Sequence, residues 1–430
     1  MTRFPRLSRL ALVAPLVGAC GPGSDDRATI RFWGMGREGE VVAELVKGFE
    51  RENPDVRVRV QQIPWSAAHE KLLTAYVGEV TPDVAQLGNT WVPEFSALGA
   101  LAPLDSFVAQ SPLDPSQFFA GIWATNLVGD TLFGVPWYVD TRLIFYRTDI
   151  LAEAGYASPP SSWAEWRTAM ERIKAGAAPG QYPLFLPTNE WPQPVILALQ
   201  SGSTLLSPEG RRGAFSEPEF RRAFDFYTGL FEDSLAPPIT NNQISNIYHE
   251  FAAGNFAMII TGPWYIGEFR RRLPDSVQDK WATAPMPGPA GAASGVSMAG
   301  GSSLVVFRGT DHPEAAWRLV EYLSRPEQQR EFWRLTGDLP ARLEAWDAPE
   351  LKGDPITYAF WEQLQRVAPL PAVPEIELIV TKVFEAGERA VQGGVPVERV
   401  LADLDATVDR ILEKRRWMLD RAAVAARDAR

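Results

Sequence analysis

The stretch at residues 248–269, YHEFAAGNFAMIITGPWYIGEF, constrains the fold more than any other part of the chain. An amphipathic run ends at Gly254, where glycine suits the left-handed backbone of a helix C-terminus, and the compact apolar run 256–260 follows. This pattern predicts a helix, a turn and a buried strand. Because Thr-Gly-Pro then ends the strand abruptly, we expect Trp264 at a strand's carboxyl end, where open α/β sheets bind ligands. On these residues alone, Trp264 as an ordinary core aromatic stays an alternative.

The same stretch closely resembles the signature G-x-x-A-M-x-x-x-G-P-W of bacterial extracellular solute-binding proteins, in the sugar-binding cluster of ABC importers that includes the maltose- and trehalose-binding proteins. The matching residues are Gly254, Ala257, Met258, Gly262, Pro263 and Trp264. The resemblance implies an α/β fold of the periplasmic-binding-protein-like type II, with two α/β lobes, a hinge and an interlobe ligand cleft. It also implies that Trp264 stacks on a sugar ring.

Length and charge are consistent with this fold and exclude some partners. A chain of 430 residues with 46% hydrophobic content is long enough for two domains, each with its own core. The formal net charge of -11 becomes three units more negative without residues 1–19, which carry three arginines and no acidic residue. Such an acidic surface argues against nucleic acid and anionic lipid as direct partners. We expect a monomer.

The N-terminal residues have the pattern of an export signal. A basic segment and a short apolar core at 10–17 precede Val-Gly-Ala-Cys, which matches the lipobox of bacterial lipoproteins. The core is too short to span a bilayer, which needs about 20 residues. The sequence predicts a signal peptide at 1–19, lipidation of Cys20 and a tether over 20–28. We expect an extracytoplasmic protein on the periplasmic side of the cell membrane, held there by its lipid anchor alone.

A strand, helix and strand follow the tether and predict the start of a mostly parallel sheet. Between the first strand and the helix, residues 34–39 read Gly-Met-Gly-Arg-Glu-Gly and match the dinucleotide-binding fingerprint. A dinucleotide site also requires an acidic residue at the end of the second strand, where two glutamines stand at 61–62. We therefore disfavour a nucleotide site, and expect Arg37 and Glu38 to meet ligand hydroxyls in the cleft wall.

Residues 82–104 predict a short strand after Pro-Asp, followed by a loop and a helix. They resemble the family's strand and following loop, which place a polar residue and an aromatic at the sugar. The resemblance implies these roles for Asn89 and Trp91. A plain helix N-cap role for Asn89 or Thr90 is the alternative.

Residues 131–147 resemble the family's crossover from the first lobe to the second. This resemblance places Tyr138 and Asp140 at the cleft edge, with Tyr138 as an aromatic wall. A carboxylate at 140 can accept hydrogen bonds from two neighbouring sugar hydroxyls. The alternative is that Asp140 pairs with Arg142 or caps a turn.

Three later stretches supply the remaining candidates. Asn189, Glu190 and Trp191 follow a predicted strand, and their amide, acidic and aromatic groups suit a sugar wall. The glycine-rich residues 295–303 resemble the family's segment that brings backbone amides near the ligand, which implicates Gly300 and Gly301. Residues 369–379 resemble the late loop before a cleft-lining helix, which implicates Glu375. A surface hairpin and solvated carboxylates are the alternatives.

These features predict lobe 1 at residues 29–137 plus 292–340 and lobe 2 at residues 138–291 plus 341–430. The predicted function is capture of a sugar, a di- or oligosaccharide, and its delivery to the permease subunits of an ABC transporter. We expect no catalysis, no metal and no cofactor.

Other functions stay open on the sequence. An exported glycoside hydrolase needs two carboxylates about 5 to 9.5 Å apart, and no spacing here singles out such a pair. A binding protein for glycerol phosphate diesters or another polar solute would favour converging arginines, of which only Arg37 and Arg142 stand near the predicted cleft. A transition-metal site is disfavoured by only three histidines and one cysteine.

Overall fold

The computed structural model describes residues 27–428, except the side chains of 425–428. The predicted signal peptide, Cys20 and the tether as far as residue 26 lie outside these residues. The strands are β1 (Ala28–Met35), β2 (Val56–Ile63), β3 (Val84–Gly88), β4 (Leu127–Val128), β5 (Thr131–Leu132), β6 (Val135–Asp140), β7 (Leu143–Arg147), β8 (Tyr182–Phe185), β9 (Phe256–Thr261), β10 (Trp281–Ala284), β11 (Ser297–Met298), β12 (Gly300–Val306), β13 (Leu339–Pro340) and β14 (Val367–Ala368). The α-helices are α1 (Gly36–Glu52), α2 (Trp65–Val77), α3 (Val92–Ala97), α4 (Asp105–Val108), α5 (Ala120–Ala124), α6 (Thr148–Glu153), α7 (Trp163–Gly176), α8 (Pro192–Gln200), α9 (Pro218–Glu232), α10 (Ile247–Ala252), α11 (Trp264–Arg272), α12 (Pro313–Leu323), α13 (Pro326–Thr336), α14 (Pro349–Lys352), α15 (Pro355–Leu364), α16 (Ile376–Val391), α17 (Val397–Ile411) and α18 (Glu413–Asp428). In this part of the chain, no helix is both long and apolar enough to span a bilayer.

The larger sheet has six strands in the order β2-β1-β3-β12-β6-β13, and we define the first lobe as the lobe built on it. β1 pairs in parallel with β2 and β3, whereas β12 is antiparallel to its neighbours β3 and β6. All of β3 except its last residue is buried, as expected of a strand covered on both faces. The predicted lobe boundary at residues 137/138 falls inside β6, so Tyr138 and Asp140 belong to this sheet.

The smaller sheet has four strands in the order β10-β7-β9-β8 and forms the second lobe. Its β9 is the buried strand predicted from the sequence, and all six of its residues are buried. β9 pairs antiparallel with β7 and parallel with β8. Gly254, just before β9, has a φ of +76°, the left-handed backbone expected after a helix. The predicted helix, turn and strand are confirmed.

The chain crosses between the lobes through adjacent segments that are bonded to one another. Only Thr141 and Arg142 separate β6 in the first lobe from β7 in the second. On the return path β11 pairs in parallel with β14. The hydroxyl of Thr141 donates to the carbonyl of Met298, and the hydroxyl of Ser297 donates to the carbonyl of Arg142, each at 2.7 Å. The crossings therefore form one narrow connection, as in a hinge between two lobes.

Helix α11 is fixed to the second lobe by an aromatic cluster around Phe269, which has no exposed surface. Its ring centroid lies 5.4 Å from that of Phe145 on β7 and 5.1 Å from that of Trp281 on β10. Phe251 on α10 approaches to 4.8 Å. Because Trp264 is the first residue of α11, this cluster sets where its indole lies.

Phe269→Ala is expected to lower the free energy of unfolding by about 3 to 5 kcal/mol, because it leaves a cavity among packed rings. Urea unfolding followed by circular dichroism measures this change. Trp417→Ala is the control, since Trp417 is 56% exposed on α18 and its loss should cost less than about 0.5 kcal/mol. Equal effects of the two substitutions would contradict the packing described here.

Candidate ligand-binding cleft

Trp264 lies where the two lobes face each other. It begins α11 directly after β9 and is 44% exposed. A groove of about 570 Å³ separates it from the first lobe, where Trp333 of α13 and Asp338 line the opposite side. Gly262 lies against the indole, since a Cβ there would come within 2.1 Å of Cζ3 of Trp264. The exposed indole therefore borders an interlobe groove.

Asp140 and Arg142 lie at the crossing between the lobes and connect to Trp264. Nη1 of Arg142 donates to Oδ1 of Asp140 at 3.1 Å. The guanidinium carbon of Arg142 lies 4.4 Å from the Trp264 ring centroid, a cation–π contact. The predicted alternative that Asp140 pairs with Arg142 is therefore correct, although the pair lies beside the cleft and both side chains stay partly exposed.

Gly300 and Gly301 lie within β12 and pair with β6, opposite Asp140 and Val139. A Cβ at position 300 would come within 2.2 Å of Oδ1 of Asp140, so glycine leaves room for that carboxylate. Gly301 has a φ of +122°, a conformation that favours glycine. The structure thus gives both glycines a role in shaping the strand beside Asp140.

Glu38 is held in the first turn of α1 by donors from several elements. The hydroxyl of Tyr138 donates to its Oε1 at 3.0 Å, and Nε1 of Trp65 donates to the same oxygen at 3.3 Å. Ser302 donates to the Tyr138 hydroxyl at 3.0 Å. Glu38 is nearly buried, with 8% of the residue exposed.

Tyr138 supports the site instead of forming a wall of the cleft. Its residue is only 7% exposed, and its ring lies 6.0 Å from that of Phe332 on α13. Burial, followed by the charge of Glu38, raises the pKa of the Tyr138 hydroxyl well above its ordinary value. The hydroxyl therefore keeps its proton and donates to Glu38. The expectation of an aromatic wall at this position is wrong, because β6 places the ring inside the first lobe.

Asp338 was not predicted from the sequence. It lies immediately before β13 and follows Gly337, whose φ is +89°. Desolvation, with the charges of Glu38 and Asp140, raises the pKa of the Asp338 carboxyl to about 7. The first lobe thus presents a carboxyl group that can donate or accept a hydrogen bond near neutral pH.

The aromatic wall of the first lobe contains Trp91 and a second tryptophan, Trp65. Their ring centroids lie 5.8 Å apart in an edge-on contact. His69 lies 5.0 Å from the Trp91 ring and contacts the Glu94 carboxylate at 2.6 Å. Trp65 is 38% exposed and was missed, although its place directly after β2 matches the strand-end position that identified Trp264.

The sequence predicts that Asn89 and Arg37 contact the ligand, and in the structure each of them bonds to another residue of the protein. Asn89 is nearly buried, and its Nδ2 donates to the carbonyl of Ala299 at 3.1 Å, which ties this loop to the return crossing. The side chain of Arg37 is 63% exposed and pairs with Glu40 at 3.0 Å. Neither residue meets a partner across the groove in this structure.

The second lobe contributes Glu190, Trp191 and the start of α16. Glu190 accepts hydrogen bonds from Nε2 of Gln193 at 2.6 Å and Nδ2 of Asn241 at 2.7 Å. Trp191 is partly exposed and packs on the core of the second lobe. Glu375 precedes α16, and its Oε2 is buried with no hydrogen-bond partner among residues 27–428.

A contact between the lobes lies near Glu375. The hydroxyl of Thr90, in the first lobe, donates to the carboxylate of Glu377 in the first turn of α16. The Glu377 carboxylate therefore joins the two lobes.

The site has the groups that hydroxylated ligands need. Carboxylates, amides and hydroxyls accept or donate hydrogen bonds, and the indole offers an apolar face. Within residues 27–428, no three His, Cys, Asp or Glu side chains are grouped so that they could hold a metal ion.

A family model described as bacterial extracellular solute-binding protein matches residues 35–330. The chain belongs to this family. Among solved structures, the sugar-binding protein MalE of the phytopathogen Xanthomonas citri is 47% identical, with a TM-score of 0.89 over 91% of this chain and 99% of that one. The diacetylchitobiose binding protein DasA of Streptomyces coelicolor is 25% identical, covering 84% of this chain and 86% of DasA. A lipoprotein of Streptomyces antibioticus is 28% identical over 80% of this chain and 77% of its own length.

These similarities confirm the family and the two-lobed α/β fold predicted from the sequence. The family is one of extracellular solute-binding proteins, and both MalE and DasA are described as binding proteins. As a solute-binding protein, this chain is expected to hold ligand where its lobes meet. Trp264 and Asp338 line the groove between the lobes, and Arg142 contacts Trp264 while it pairs with Asp140.

Asp338→Asn tests the pKa of this carboxyl. The folded-state pKa, about 7, lies above the unfolded value of 3.8, so the bound proton stabilises the wild-type protein below about pH 4 and this stabilisation is lost as the pH rises through 7. Asparagine cannot ionise. The unfolding free energy of the variant relative to wild type should therefore rise by about 2 to 4 kcal/mol between pH 4 and 8. Urea unfolding at both pH values measures it, and a constant difference would contradict the assignment.

Proposed function

We propose that this solute-binding protein captures a di- or oligosaccharide between its lobes and delivers it to the permease subunits of an ABC transporter. We base this proposal on the exposed indole of Trp264, which lies at the interlobe groove next to the Asp140–Arg142 pair. The names of the relatives support it, since MalE is a sugar-binding protein and DasA binds diacetylchitobiose.

The chemistry of the groove suits a neutral polyol. An indole packs against the C–H face of a pyranose, while carboxylates accept hydrogen bonds from adjacent hydroxyls. An anionic ligand is disfavoured because the arginines at the groove are paired with acids: Arg142 with Asp140, Arg270 with Asp354 and Arg271 with Glu268. Arg37 does not converge with Arg142, since it is exposed and pairs with Glu40.

Ligand that touches both lobes stabilises the closed arrangement by its differential affinity for the closed and open states. The lobes can close about the hinge because the first crossing has only two residues between strands of different sheets. The hydrogen bond from Thr90 to Glu377 joins the two lobes. A transporter can then recognise the closed shape of the protein.

A glycoside hydrolase is the second candidate, and Asp338 is the feature that favours it. A carboxyl with a pKa of about 7 beside other carboxylates resembles a general acid. Against catalysis stands Glu38, whose carboxylate is nearly buried and accepts from Tyr138 and Trp65. We propose that the acids bind hydroxyls and that the sugar is released intact.

Trp264→Ala should weaken sugar binding by about 1 to 3 kcal/mol, because stacking on a flat aromatic contributes that much for other ring ligands. Titration calorimetry with maltose, trehalose, maltotriose and diacetylchitobiose measures the affinity. Trp417→Ala is the control, since Trp417 is another exposed tryptophan, at 56% exposure on α18. Chromatography of the sugars after incubation tests for hydrolysis. Unchanged affinity in Trp264→Ala, or shortened products with the wild-type protein, would contradict the proposal.

We also propose that Cys20 carries the lipid that holds the protein on the periplasmic side of the membrane. The support is the lipobox and the similarity to a relative that is a lipoprotein. Cys20→Ser should release the protein from the membrane fraction and abolish labelling by a fatty-acid probe. Labelled protein in the Cys20→Ser variant would contradict lipidation at this residue.

A further inference from the structure

Arg142 is a cation that lies against Trp264, the exposed aromatic residue at the groove. Its guanidinium is fixed on one side by Asp140 at 3.1 Å and lies 4.4 Å from the centre of the Trp264 ring. The hydroxyl of Ser297 also fixes its backbone by donating to the carbonyl of Arg142. The side chain is 17% exposed, so it is ordered by contacts yet open to the groove. Its position is set by both lobes and by the crossing between them.

The guanidinium retains donors for a ligand. An arginine has five N–H groups in a rigid fork, and to residues 27–428 this side chain donates a single hydrogen bond, from Nη1 to Asp140. The remaining N–H groups are held in a fixed plane beside Trp264. Groups that are already oriented lose little entropy when they bind.

We propose that Arg142 is a specificity-determining residue of the cleft, which donates to an oxygen of the sugar ring that stacks on Trp264. This inference rests on the proposed function and deepens it. Asp140 and Arg142 then act as a paired acceptor and donor, so that the cleft selects neutral sugars with an acceptor oxygen and a neighbouring hydroxyl. The pair carries no net charge, which is why it suits hydroxyls better than a phosphate or carboxylate.

A different role would be occlusion, in which Arg142 covers the indole of the empty protein and must be displaced by sugar. The two roles predict opposite effects of removing the guanidinium. Loss of a donor weakens binding, whereas loss of a competitor strengthens it. The sign of the change in Kd therefore decides between them.

The test uses Arg142→Met, which keeps much of the side-chain volume, and Arg142→Lys, which keeps the charge without the planar fork. Arg221→Met is the control, since Arg221 pairs with Glu398 on the surface of the second lobe. Calorimetry with the tightest-binding disaccharide among maltose, trehalose and diacetylchitobiose should show Kd raised about 10- to 100-fold in Arg142→Met, as for loss of a charge-assisted hydrogen bond. Arg142→Lys should lie between it and wild type, and Arg221→Met should equal wild type.

Monodeoxy analogues of that disaccharide separate a direct contact from a structural role. For the analogue that lacks the oxygen bound by Arg142, the Kd for wild type should be at least about tenfold higher than that of the parent sugar. For Arg142→Met, the Kd values of this analogue and of the parent sugar should differ by less than about threefold. A merely structural change would weaken all analogues alike. Thermal unfolding without sugar checks that the variants are folded.

An unchanged or lower Kd in folded Arg142→Met would overturn the inference and leave the proposed function intact. Equal weakening of every analogue would also overturn it. If wild type binds none of the saccharides, the proposed function fails and this inference fails with it. The first two results require a wild-type protein that binds sugar, so the two kinds of failure are distinguishable.

Discussion

The two-residue connection between β6 and β7 is the constraint on which the rest of the structure depends. Thr141 and Arg142 join strands of two different sheets, and their bonds to residues 297 and 298 tie the outgoing and returning crossings together. Because the connection is so short, the end of β6 lies next to the start of β7. The start of β7 pairs with the end of β9, since these two strands are antiparallel. Asp140 and Trp264, which belong to different lobes, are therefore neighbours through Arg142.

The chemistry of the cleft follows from what surrounds each group. Tyr138 is buried, so its hydroxyl keeps its proton and holds the Glu38 carboxylate in place. Asp338 is desolvated among other acids, so it is neutral up to about pH 7. The site thus combines one acid held by donors from Tyr138 and Trp65, one acid paired with Arg142 and one acid that can donate, near an indole. Such a set can satisfy several hydroxyl groups without binding a net charge, which is what a sugar requires.

The sequence predicted the parts of this fold that depend on local pattern. The strand β9, its abrupt end and the exposed Trp264 could be read from apolar periodicity and from Gly and Pro signals. Asp338 could not, because it lies just before the two-residue strand β13, far along the chain, and its surroundings come from other elements. Tyr138 was misplaced because its position at the cleft edge came from a family resemblance, which does not tell how the ring packs beside Phe332 of another element.

A crystal structure of the wild-type protein with its tightest-binding disaccharide tests the central claim most directly. The account predicts one intact sugar between the lobes, with a ring stacked on Trp264 and oxygens within hydrogen-bond distance of Asp140 and Glu38. Sugar bound outside the groove, or cleaved within it, would contradict the account.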